Sequence, residues 1–116
     1  MPENEGSFYI DWDDGIKRVM GNTGLYTKLL ARFKTDITLG ELFAALEAGD
    51  YEKARMAVHT VKGVAANLSL IALYRQALDL ETQIKGKSVA PGAFETLRTC
   101  FTETLANIDR VVAEHA

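Results

Sequence analysis

Proline occurs only at positions 2 and 91. Inside a helix it removes a backbone hydrogen bond and clashes with the preceding turn, so its absence leaves helix open along most of this chain. Apolar residues recur three and four apart through the interval, which selects helix. No sustained alternating run rich in Val, Ile and Thr occurs, so no sheet is predicted. The expected class is all-α.

Residues 1–9 read as a flexible tail and 10–116 as a single domain. Asp11 is placed to cap a short helix, with Asp13 and Asp14 in its first turn favoured by the helix dipole. Trp12 is expected to anchor that helix on the rest. It should fade near Gly21, after which Asn22 or Thr23 caps a second helix carrying Leu25, Leu29, Leu30 and Phe33. This helix is drawn through Ile37, Leu42, Phe43 and Leu46 to Gly49, with Gly40 a weak point that marks a bend. Gly49-Asp50 joins it to a third helix from Tyr51 to about Leu68. Ser69 is taken as the cap of a fourth, which carries Leu70, Leu73, Leu80 and Ile84 and ends at Gly86. Pro91 is expected in the first turn of a last helix carrying Phe94, Leu97, Phe101, Leu105, Ile108, Val111 and Val112. Short connections between amphipathic helices favour antiparallel neighbours. The predicted architecture is an antiparallel up-and-down four-helix bundle with a short N-terminal helix.

Composition removes several function classes. A formal net charge of -3 provides no basic field for nucleic acid. One cysteine, Cys100, excludes an internal disulfide or a thiolate zinc cluster, and a small core residue is the simpler reading of it. The acidic, polar start is not a secretory signal, and no apolar run approaches the roughly 20 residues that span a bilayer. A cytoplasmic protein is expected, and Met1 with its polar tail favours a free-standing one.

The third helix carries the chemistry. At about 100° per residue, with His59 at zero, Ala57, Val61 and Leu68 fall within roughly 20° of the opposite side. Ala54, Val64 and Ala65 lie further out on that far side, so the stripe faces the core and His59 faces solvent. Lys62 and Gly63, three and four residues on, share its face, as do Ala66, Met56, Arg55 and Glu52. Glycine costs about 0.8–1.0 kcal/mol in a helix interior relative to alanine, and on an outer face nothing in the core explains that cost. Clearance for a partner does. Lys62 is in position to pair with a phosphoryl group on His59. Neutral imidazole is a good nucleophile whose outer nitrogen, Nε2, projects away from the backbone. A single exposed histidine is more often incidental, and the His59–Lys62–Gly63 combination is what tips the balance. Met56 reads equally as a partner contact or as packing at the core edge. Arg75 and Gln76 either border the site or are simply solvated.

The segment Ala57 to Leu68, reading AVHTVKGVAANL, resembles the motif of the histidine phosphotransfer (HPt) domain family of bacterial two-component phosphorelays. Ile10-Asp11 through Asp14-Gly15, Gly21-Asn22, Leu25-Tyr26, Leu29-Leu30, Phe33 and Gly49-Asp50 are similar to the family's entry, so the resemblance covers about residues 10–86. It implies a phosphorelay intermediate. His59 would accept a phosphoryl group from one receiver aspartate and pass it to another, Lys62 would assist electrostatically and Gly63 would give access. Glu52, Arg55, Met56 and Ala66 are the expected partner-binding residues. The implied partners are response-regulator receiver domains or a hybrid sensor kinase, with no nucleic acid and no membrane, and the protein acting as a monomer. No cofactor is expected, because the Mg²⁺ would sit on the receiver. Ala66 and Ser69 stand where the family usually has glycine.

Sensor-kinase dimerisation domains differ, with an acidic residue after the histidine and a proline a few residues on. Thr60 follows here and no such proline exists. With no nucleotide-binding segment, ATP-dependent kinase activity is not expected. Two other readings compete: an unphosphorylated helical bundle that binds a receiver-like partner, and a metal-binding bundle. The second histidine, His115, lies at the C-terminal end and no Glu-x-x-His pair occurs within the helices, which argues against the metal.

Overall fold

The computed structural model describes residues 8–36 and 38–115. Among these, six helices and no strands form: α1 (Trp12–Arg18), α2 (Thr23–Phe33), α3 (Thr38–Ala48), α4 (Tyr51–Asn67), α5 (Ile71–Lys85) and α6 (Ala93–Glu114). None is long and apolar enough to cross a membrane. Three begin on a polar cap, as the sequence indicates. The side chains of Asp11, Asn22 and Asp50 accept the backbone N–H groups of Asp14, Leu25 and Lys53. The open choice at α2 is thus resolved to Asn22.

The long helix expected from Thr23 to Gly49 is two helices. It breaks after Phe33, not at Gly40, which lies inside α3. The cause is local. The Thr35 hydroxyl donates to the Arg32 carbonyl (3.0 Å), and the Asp36 carboxylate accepts the N–H of Thr38 (2.8 Å). Short polar side chains here offer the backbone partners that compete with continued helix. Ile37, expected within that helix, falls outside the described residues.

α4 packs against α3 and α5, α5 against α6, and α6 against α2, while α1 lies on α2. The shared core includes Leu30, Leu42, Val58, Leu70, Leu73, Leu97 and Ile108, all fully buried. Cys100 lies in it, and burial pushes its thiol pKa up.

Both joints flanking α4 have the same geometry. At its entry, Gly49 is left-handed (φ 72°), and the N–H groups of Gly49 and Asp50 return to the carbonyls of Leu46 and Ala45. At its exit, Ser69 occupies the equivalent position (φ 57°), with Ser69 and Leu70 bonding back to Ala66 and Ala65. Ser69 therefore closes α4 instead of capping α5, whose N-cap is Leu70. A left-handed residue other than glycine costs roughly 1–2 kcal/mol. Ser69 offsets part of that cost by donating its hydroxyl to Asp14 (2.6 Å). Pro91 also differs from expectation. It sits in the Ala90–Ala93 turn ahead of α6, and Gly92 at φ 84° turns the chain into the helix.

Trp12 anchors α1 as expected, its ring packed on Tyr26 (5.1 Å between centroids) and stacked on His115 (3.9 Å). The end of α6 is thereby tied to α1. Tyr26 is fully buried and donates its hydroxyl to the Leu68 carbonyl (2.6 Å). Its ring lies so close to Gly15 that a Cβ there would stand 2.1 Å from it. Gly15→Ala should therefore destabilise the fold by about 1–3 kcal/mol, read by denaturant unfolding. An unchanged midpoint would show that α1 does not press on Tyr26.

Candidate functional site

His59 stands near the middle of α4 with 69% of its side chain exposed. The buried face of α4 is turned somewhat from where the helical wheel places it. Val58 is fully buried, together with Ala54, Val61, Ala65 and Leu68, while Ala57 and Val64 are only half-buried. The core face is centred roughly 140° from His59 rather than opposite it. The ring is tilted accordingly, toward α5.

That tilt brings His59 to a residue the sequence reading missed. Nδ1 lies 2.9 Å from Oε2 of Glu81 on α5, and Lys62 Nζ donates to the other oxygen, Oε1, at 2.7 Å. The Glu81 side chain is only 5% exposed. One buried carboxylate therefore spans the two polar residues of α4. The Lys62 ammonium, aided by the His59 hydrogen bond, holds the Glu81 carboxyl below its ordinary range, against the opposing effect of burial. A signal for Glu81 was present. It falls on the apolar stripe of α5 with Leu73, Ala77, Leu80 and Ile84, where a lone acid needs a partner.

The remaining expected residues of α4 fall on one face but do different things. Nothing lies within 4 Å of where a Cβ of Gly63 would project, so no packing inside the protein requires that glycine. Ala66 borders a 280 Å³ hollow between α1, α4 and α5 that Tyr74 also lines. Met56 is 62% exposed. Glu52 and Arg55 pair with each other (2.7 Å). Gln76 lies on the far side of α5, in a groove with Pro91 and Gly92, away from His59. Arg75 is exposed. Among the described residues, no group of three or more His, Cys, Asp or Glu is placed to hold a metal ion.

The site thus presents an accessible imidazole with its inner nitrogen engaged, a cation at the next turn and uncovered backbone beyond it. The family model of the Hpt domain matches residues 28–109, from within α2 to within α6, and the chain belongs to the Hpt family. Comparisons with curated proteins and with solved structures found no match. Hpt domains are histidine phosphotransfer modules of two-component phosphorelays. They carry phosphate rather than act as kinases, and they work with receiver domains and kinases.

Two outcomes are expected from this geometry. Gly63→Ala should raise stability by about 0.8–1 kcal/mol, because only helix propensity changes in the isolated domain. A loss of stability on thermal unfolding would mean that the face is not open. The second concerns pH. The folded-state pKa of Glu81 is depressed, so its stabilising contribution is present above the unfolded value near 4.5 and is lost as pH falls through the lower folded value. Tm measured against pH should therefore fall less below pH 4.5 in Glu81→Gln than in the parent.

Proposed function

We propose that this chain is a phosphorelay intermediate that takes a phosphoryl group from a receiver aspartate onto Nε2 of His59 and passes it to a second receiver. The observation that carries this reading is the buried Glu81 behind an exposed His59. An ionised carboxylate only accepts hydrogen bonds, so Nδ1 carries the hydrogen and the Nε2 lone pair faces outward. Nε2 attacks the phosphorus of the aspartyl phosphate, the P–O bond to the aspartate breaks and the receiver regains its carboxylate. The ring, phosphorylated on Nε2 and still protonated on Nδ1, bears a positive charge that Glu81 offsets. Transfer of this kind depends on alignment and charge neutralisation, and the receiver would bring the Mg²⁺.

Gly63 and Ala66 give the partner's loops a low surface, with Met56 an adaptable apolar contact at its edge. Residues 10–116 act as one domain, with α2 to α6 as an antiparallel up-and-down bundle; of the nine residues ahead of it, 1–7 lie outside the described residues, while Phe8 and Tyr9 are helical and Tyr9 packs against the core. A monomer in the cytoplasm suffices for this role.

Incubation with a receiver labelled on its aspartate should move label to this chain, and His59→Gln should abolish the transfer. Label on the Gln variant, or none on the parent with several receivers, would point instead to a binding module that accepts no phosphate. Glu81→Ala should slow transfer by roughly tenfold to a hundredfold, because tautomer and charge support are both lost. Glu81→Gln should slow it less, since an amide oxygen still accepts the Nδ1 hydrogen. Equal rates for Glu81→Ala and the parent would remove Glu81 from the mechanism.

A further inference from the structure

On the phosphocarrier reading, on which the role of Arg55 rests, loading His59 unbalances the charge of the site. In the unloaded site the Glu81 carboxylate and the Lys62 ammonium neutralise each other at 2.7 Å. A phosphoryl group adds about −1.5 to −2 charges near pH 7 on the solvent side of the ring. Lys62 is already committed to Glu81 and only 22% exposed. The protonated ring balances one of these charges, and the remainder favours a further cation beside the phosphoryl oxygens.

Arg55 lies four residues before His59, one turn back on the same face of α4 and in the direction in which helical side chains lean. Arg55 lies near enough to Glu81 to feel its charge. Its guanidinium donates through Nη2 to Glu52 Oε1, in a pair whose side chains are 43% and 75% exposed. Exposed pairs of this kind are weakly held, whereas a guanidinium fork matches phosphoryl oxygens and binds them bidentately. Lys85, one turn beyond Glu81 on α5, is exposed too, but its ammonium has no fork.

We propose that Arg55 is a phosphoryl-binding residue that rests on Glu52 in the unloaded domain and transfers to the phosphoryl oxygens once His59 is loaded. Glu52 is then a competitor, and its charge sets how firmly the phosphoryl group is held.

The test uses the whole chain and phosphoramidate. Its P–N bond breaks as Nε2 bonds to phosphorus, and ammonia leaves. Phosphorus NMR then tracks the ionisation of the phosphoryl oxygens against pH. The parent should give a phosphohistidine resonance that is absent in His59→Gln. Arg55→Ala should raise the titration midpoint by about half a pH unit, because an opposite charge close by favours the dianion. Glu52→Gln should lower it, and that shift should shrink in the double variant with Arg55→Ala. Lys85→Ala should leave it in place. A midpoint unmoved by Arg55→Ala, or moved as far by Lys85→Ala, overturns the Arg55 proposal alone. No resonance in the parent, or one that survives His59→Gln, overturns the phosphocarrier reading and this proposal with it.

Discussion

A carboxylate with 5% of its side chain open to water is costly to bury unless both of its oxygens are engaged. Glu81 meets that condition only where α5 lies in the register that sets it between His59 Nδ1 and Lys62 Nζ. A slip of α5 by one turn would leave the charge buried and unpaired. Apolar residues of similar volume could fill the same space without this demand, so the ion pair does not serve packing alone. It fixes how α4 and α5 face each other, and so where the imidazole points.

The ends of α4 are secured by different means. Gly49 turns the chain into the helix from α3, and Asp50 caps it. At the exit, the Leu68 carbonyl accepts from Tyr26, the Ser69 carbonyl accepts the N–H of Asp11, and the Ser69 hydroxyl reaches Asp14. Asp14 is held ionised by Ser69 and Arg18, its pKa lowered by both. α1 and α2 thus grip the end of the helix nearest Ala66. The short N-terminal helix, which lies outside the span matched by the family model, is part of what supports the site.

Legibility in the sequence depends on the range of the interactions concerned. Helix content, the caps at Asp11 and Asp50 and the exposure of His59 and Gly63 depend on residues within a turn or two of each other, and periodicity shows them, whereas Lys62 turns inward to Glu81. The break after Phe33 was local as well, carried by Thr35 and Asp36, but an apolar pattern continuing through Leu39 and Leu42 masked it. Ser69 reads as a helix cap, and the hydrogen bond that supports its left-handed backbone runs to a residue 55 positions away. Glu81 was hidden differently. Its partners lie 19 and 22 residues earlier on another helix, and only the packing of α4 on α5 says which polar residues meet.

That packing is itself set by small side chains. Ala54, Val58, Val61 and Ala65 line the inner face of α4, and Ala72 and Ala77 lie buried on α5. Small residues on facing helices allow a closer approach than large ones would. At a wider spacing one carboxylate would not reach both an imidazole and an ammonium. The bare outer face needs the same economy of side chains for the opposite reason, since Gly63 and Ala66 leave room for another molecule. α4 is therefore small on both sides. Its inner face lets its own neighbour orient His59, and its outer face leaves the backbone beyond that residue uncovered.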